Sequence, residues 1–279
     1  MTLDFSTPGS VKVDMRDYVK DMIEDFPNEL KCEAATPAAE NIFQVEHGKT
    51  LCNLKQEAFH TFTAKALFLT ARARPDIKPT VAFLCTRVQE PTSRDWNKLV
   101  RMMDFLKRTA NECLTLALDD TRRVIWSIDA AFAVHPDKKS HSGMTMTMGK
   151  GAITSLLRKQ KLNTRSSTEA ELVAVEDCMA QVLWTKYFLE AQGYQTTAHI
   201  VLQDNESAIR LEKNGHKSMG QRSRHIDIRY FFITDQVKKG NVSIEYCPTD
   251  KMEGDYMSKA LQGSKFKGFR ETIMNWSQS

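Results

Sequence analysis

Four carboxylates in this chain occupy comparable positions, within or at the end of apolar strands and on helices beside them. Asp129 lies inside the apolar run VIWSIDAAFAV, and a lone charge in a buried strand is expensive unless something compensates it. Asp204 closes the short apolar stretch HIVLQD. Glu171 follows the Ser-Ser-Thr run 166–168 at the head of a long amphipathic segment, and Asp255 stands in a short helical stretch near the C-terminus. Carboxylates that converge on one point repel each other unless cations sit among them. Such a cluster suits Mg²⁺, a hard ion that prefers oxygen ligands, and two such ions can clamp an in-line phosphoryl displacement.

Glu169 and Glu171 need separate readings. Ser166 and Glu169 fit the S-x-x-E capping box, in which the glutamate reaches back to the N–H of the cap residue. Glu169 thus has a structural task at the helix start. Glu171 lies beyond the box, which does not account for it.

The elements that must position these acids follow from the apolar spacing. Residues 3–14 alternate around Pro8-Gly9 and read as a hairpin; YVKDMIEDF has helical spacing; residues 27–55 show no clear period. Gln56–Thr70 and TSRDWNKLVRMMDFLKRT are helices, the second capped by Thr92 or Ser93. From LTLAL onward the character changes: strands over VIWSIDAAFAV, SGMTMTMG and AITSLLRKQ, and a helix from about Ser167 to Gln192. Then come the strand HIVLQD, helices over SAIRLEK and RHIDIRYFFITDQVKK, the strand VSIEYC, and a last helix over about 254–261. That order implies a mixed sheet with helices on its faces. Trp184, Tyr187 and Phe188 on the long helix read as core rather than as a stacking platform.

Bulk properties set loose bounds. With 279 residues, 41% hydrophobic and 27% charged, the chain suits one large domain or two ordinary ones. A net charge of +4 permits a nucleic-acid partner without requiring one. The six cysteines show no C-x-x-C pair and no disulfide framework. No run of about 18 apolar residues and no signal-peptide pattern is present, so an intracellular chain without a membrane partner is expected.

Five stretches carry a family resemblance: STEAELVAV, QDNESAI, RSRHIDIRYFF, WSIDAAFAVHPDKKSHSG and EGDYMSKALQG. In this order they resemble the ribonuclease H domain at the C-terminal end of copia-type LTR-retrotransposon polyproteins. Upstream, FHTFTAKALFLTARARPDI and DWNKLVRMMDFLKRT resemble the segment that joins reverse transcriptase to that domain. The resemblance implies an α/β fold, a ribonuclease H-like mixed five-stranded sheet flanked by helices and preceded by a mainly helical connection. It implies domains at 1–113 (connection, without a polymerase active site) and 114–262 (ribonuclease H), with a tail at 263–279. It also implies metal-dependent endonucleolytic cleavage of the RNA strand of RNA–DNA hybrids. Asp129, Glu171, Asp204 and Asp255 are then the catalytic, metal-binding set for two Mg²⁺ ions, with Mn²⁺ as a substitute. One ion would activate water and the other would stabilise the leaving 3′-oxygen.

The implied partners are the hybrid and the polymerase domain of the same polyprotein, in a cytoplasmic virus-like particle or the nucleus. Candidate contacts to nucleic acid are Lys159, Lys161 and Arg165 ahead of the long helix, Asn205 and Ser207 after Asp204, and Arg222, Arg224 and His225. Asn205 and Ser207 equally suit the cap of the next helix. Two departures from the family stand out. Gly254 precedes the last aspartate where an alanine or asparagine is usual, which is expected to loosen the helix start, and the loop YCPTDKMEG holds no histidine. The pair Asp119-Asp120 reads as a charged turn, so polymerase activity is not expected of a chain that looks like a C-terminal polyprotein piece. The rival readings are a non-catalytic hybrid-binding fragment, a decayed element, or an integrase; an integrase ends its acid set in Glu, which the Asp-Glu-Asp-Asp order disfavours.

Overall fold

The apolar run around Asp129 becomes the central strand of a five-stranded sheet. The computed structural model describes residues 1–135, 137–214 and 227–276. In chain order it contains β1 (Thr2–Asp4), β2 (Ser10–Asp14), α1 (Arg16–Glu24), α2 (Asn53–Thr70), α3 (Lys78–Cys85), α4 (Ser93–Arg108) and β3 (Leu114–Leu118). These are followed by β4 (Arg123–Ala131), β5 (His141–Thr147), β6 (Gly149–Lys150), β7 (Thr154–Lys159), α5 (Ser167–Ala191), β8 (Ala198–Gln203) and α6 (Glu206–Asn214). The remaining elements are α7 (Asp227–Lys238), β9 (Ser243–Tyr246), α8 (Gly254–Ser258) and α9 (Gly263–Met274).

The chain divides into two units: Met1–Ala117 with Lys150–Ala152 and Ala260–Ser279, and Leu118–Gly149 with Ile153–Lys259. In the first, β1, β2 and β3 run antiparallel side by side, so β3 pairs with the opening hairpin rather than with the strands that follow it. Helix α4 starts with a capping box in which Thr92 accepts from the Asp95 N–H and Asp95 accepts from the Thr92 N–H. Residues 263–274, read from the sequence as part of a tail, form α9. Its Arg270 joins Arg74 around the buried Asp76 carboxylate at 2.8 and 2.9 Å. Burial pushes that carboxyl up, but the two guanidinium groups outweigh it and hold the pKa at about 2.

The second unit holds the sheet in the order β7-β5-β4-β8-β9. Strands β4, β5 and β7 form an antiparallel meander, while β8 and β9 run parallel to β4. Two parallel pairs reached through helices, beside a meander, make the mixed ribonuclease H-like sheet. The period of two along β4 divides its side chains between two faces. Val124, Trp126 and Ile128 enter the core with Ala170, Ala174, Cys178, Met179 and Val182 of α5, and Ser127 and Asp129 take the other parity.

Helix α5 departs from expectation in one respect. Beyond Val175 its buried positions are Cys178, Met179, Val182 and Thr185, a stripe at helical spacing. Trp184, Tyr187 and Phe188 fall off that stripe and are exposed, Trp184 at 58%. They are not core; Trp184 and Phe188 stack on each other, with centroids 5.0 Å apart.

Candidate metal centre

Asp129, Glu171 and Asp204 come from three different elements and meet. One carboxylate oxygen of each lies within 4.8 Å of the others. The parallel pairing of β4 with β8 explains half of this: Ser127 is opposite Leu202, and two residues further on stand Asp129, still in β4, and Asp204, just past the end of β8. The first turns of α5 bring the third acid to the same end of the sheet, where ligands commonly bind in open α/β folds. Asp129 and Glu171 are buried; Asp204 is half-buried.

Burial pushes Asp129 up to about 6, and the neighbouring Asp255 and Asp204 add to this against the opposing pull of Lys259 and Ser258. Burial also drives Glu171 well above the usual carboxylate range, with Asp129 and Asp204 contributing. The buried Oε2 of Glu171 has no hydrogen-bond partner among the described residues. A buried carboxylate oxygen without a partner, on a residue that clusters with two further acids, is poorly explained by protein contacts alone. Three carboxylates that each offer a hard oxygen donor to one space fit a divalent cation such as Mg²⁺.

Asp255 is fully buried beside this triad rather than within it, and Lys259 one turn later contacts both. The Lys259 ammonium pairs with Asp255 Oδ1 and lies 3.7 Å from Asp129 Oδ2. Burial lowers the Lys259 pKa, but Asp129, Asp255 and Asp204 together hold it above its usual value. Ser258 donates its hydroxyl to Asp129 Oδ2. Thr249, in the loop that lacks a histidine, donates to Asp204 Oδ2 at 2.9 Å.

Strand β5 cradles α8 with every second residue. Thr145 Oγ1 donates to Glu253 Oε2 ahead of the helix, and His141 Nε2 meets the Ser258 carbonyl at its end. Between them Gly143 leaves room: a Cβ there would stand 2.9 Å from Met257 Cβ and from Ser258 N. Gly254 does the same on the helix side, where a Cβ would stand 2.9 Å from both Asp129 Cβ and Asp129 N. Beyond its low helix propensity, Gly254 has a packing role: the missing Cβ lets α8 lie directly on β4. The helix ends at Ser258, short of the expected 261, because Lys259 takes an extended backbone.

At the head of α5, Ser166 Oγ accepts from the Glu169 N–H at 3.2 Å. Glu169 Oε2 accepts from the Arg165 N–H at 2.7 Å, one residue before the cap's own N–H that the box implies. Asn205 Oδ1 caps α6 by accepting from Ala208 N at 3.1 Å, and Ser207 is exposed. Lys159 pairs with Asp137 at 2.8 Å, while Lys161 and Arg165 are exposed. Arg222, Arg224 and His225 lie outside the described residues. Asp119 is tied to Thr121 in an exposed turn. The roles of His141, Gly143, Thr249, Ser258 and Lys259 were not read from the sequence, since each acts through a partner brought close only by strand pairing or helix docking.

No protein-family model matches the chain. The Retrovirus-related Pol polyprotein from transposon TNT 1-94 of Nicotiana tabacum is 25% identical over 265 residues, 92% of this chain and 20% of that protein. The Pol polyprotein from transposon RE1 of Arabidopsis thaliana is 30% identical over 205 residues, 73% of this chain and 14% of that protein. The chain thus spans a fifth or less of the length of these two relatives. Among solved structures, LC11-RNase H1 in complex with an RNA/DNA hybrid is 14% identical, with a TM-score of 0.35, covering 46% of this chain and 88% of its own. Over most of its length the chain is a relative of the Pol polyproteins of plant retrotransposons, with a ribonuclease H-like sheet in its second unit.

Proposed function

We propose that this chain is the ribonuclease H part of a copia-type retrotransposon polyprotein, and that its second unit hydrolyses the RNA strand of RNA–DNA hybrids. One observation supports the reading above all others: Asp129, Glu171 and Asp204 converge at the end of the sheet, with a buried carboxylate oxygen left unpartnered. In this proposal the three acids, with Asp255 beside them, hold Mg²⁺ or Mn²⁺. When bound, the metal supplies positive charge for an attacking water and for the leaving 3′-oxygen of a phosphodiester. Ser258 orients Asp129, and Thr249 orients Asp204. Lys161 and Arg165, exposed ahead of α5, contact the phosphate backbone without reading sequence. The wider polyprotein reading carries a polymerase domain as partner and a cytoplasmic particle or nucleus as location.

The test is substrate discrimination under metal control. Labelled RNA–DNA hybrid, duplex RNA and duplex DNA are incubated with the purified chain in Mg²⁺ and in excess chelator. Cleavage of RNA in the hybrid alone, lost with chelator and in Asp204→Asn, is the expected result. Binding of hybrid without cleavage would move the chain to the class of hybrid-binding fragments.

A further inference from the structure

We propose that Lys259 is a tethered counter-ion of the acid cluster, so that the metal-free centre offers one open cation position and one already filled by its ammonium group. The inference rests on the metal-binding role proposed above and specifies how that site fills.

The geometry divides the four acids unequally. Asp129, Glu171 and Asp204 each offer a carboxylate oxygen to one shared space, and Glu171 Oε2 has no hydrogen-bond partner among the described residues. On the other side, Asp129 and Asp255 face the same ammonium: it pairs with Asp255 and lies 3.7 Å from Asp129. Lys259 is held there by the backbone as well as by charge. Its N–H donates to the Asp255 carbonyl at 2.9 Å, closing the last turn of α8, and i, i+4 spacing sets its side chain over Asp255. Opposite charges at such spacing, partly withdrawn from water, attract far more strongly than on an open surface. The side chain remains 41% exposed, so it can swing outward without unfolding the helix.

Two consequences follow from charge alone. A divalent ion at the triad meets one tethered positive charge and three acids, and binds. A second ion between Asp129 and Asp255 must first displace Lys259, and it binds more weakly. Removing the ammonium therefore opens the second position and leaves the metal-free cluster less compensated.

The experiment is Mn²⁺ titration by calorimetry without nucleic acid, together with melting curves in chelator and in saturating Mg²⁺. It uses the full chain and the variants Lys259→Met, Lys259→Gln and Lys259→Arg. The wild type and Lys259→Arg should bind one ion tightly. Lys259→Met and Lys259→Gln should gain a second, or bind it about tenfold or more tightly, as expected for removing a like charge at contact distance. Both neutral variants should melt lower than wild type in chelator and recover most of the difference in Mg²⁺. The same stoichiometry and the same chelator-to-Mg²⁺ shift in all four proteins would overturn the inference while leaving the metal site standing. A wild type that binds no divalent ion would overturn the metal-site reading itself, and this inference with it.

Discussion

Replacing Glu169 or Glu171 by glutamine changes one oxygen in each case, yet the two changes fall on different chemistry. Glutamine still accepts from the Arg165 N–H, so Glu169→Gln should cost less than about 1 kcal/mol and leave cleavage near wild type. Glu171→Gln removes a charged donor from the triad, and should lower activity by more than the roughly 10–100-fold typical of losing an outer-shell partner. Parallel rate and urea measurements on the two variants check this; equal rates would remove Glu171 from the site. A second buried glutamate has no such task. Glu212 on α6 is fully buried, neither carboxylate oxygen has a hydrogen-bond partner among the described residues, and burial raises its pKa to about 8. In the unfolded chain it releases its proton near 4.5, so between 4.5 and 8 the unfolded state binds fewer protons and stability falls as pH rises. Glu212→Met should remove that slope, raising the melting temperature at pH 8 by at least ~2–4 °C, the equivalent of about 1 kcal/mol, with a smaller gain near pH 4. A gain of equal size at both pH values would contradict the assignment. Of the three acids that meet, Asp129 and Glu171 stood out in the sequence because an apolar strand and a completed capping box leave them unexplained, and Asp204 because it closes a short apolar strand. Ser258 and Lys259 were not, because a serine and a lysine at a helix end have ordinary uses until docking sets them against Asp129.

Helix α8 shows how two absent methyl groups shape a site. Helix propensity alone says that Gly254→Ala should stabilise by up to about 1 kcal/mol. Packing says the opposite, since the added Cβ would stand 2.9 Å from the backbone of a central strand, and relief requires α8 to move off β4. A net loss of about 1–3 kcal/mol is expected, as for overpacked cores, together with weaker Mn²⁺ binding as Asp255 and Ser258 shift. Gly268→Ala on α9 is the control: nothing lies within 4 Å of its Cβ position, so propensity should win there. Denaturant titration of the pair decides between the two effects; stabilisation by both changes would show that α8 is not closely seated. The strands and helices of this unit could be read from their periods. The register could not, and it is register that turns His141, Gly143 and Thr145 into a cradle. The aromatic face of α5 was misread for a related reason: Trp184, Tyr187 and Phe188 look like core by type, but their phase around the helix sets them outside the buried stripe.

At the scale of the molecule, two units share the chain, and the acids all belong to the second. The relatives extend far beyond this chain, and the proposed hybrid hydrolysis is tested apart from any primer extension. Asp119 and Asp120 sit together in an exposed turn, where Asp119 is occupied by Thr121, and this does not resemble a two-metal polymerase centre. The most direct measurement supplies the purified chain with a DNA primer on a labelled RNA template, deoxynucleotides and Mg²⁺, and follows both strands. The account predicts shortened RNA, an unlengthened primer, and intact RNA when Asp204→Asn replaces the wild type. RNA that stays intact with the wild-type chain, or that is shortened equally by Asp204→Asn, would contradict it.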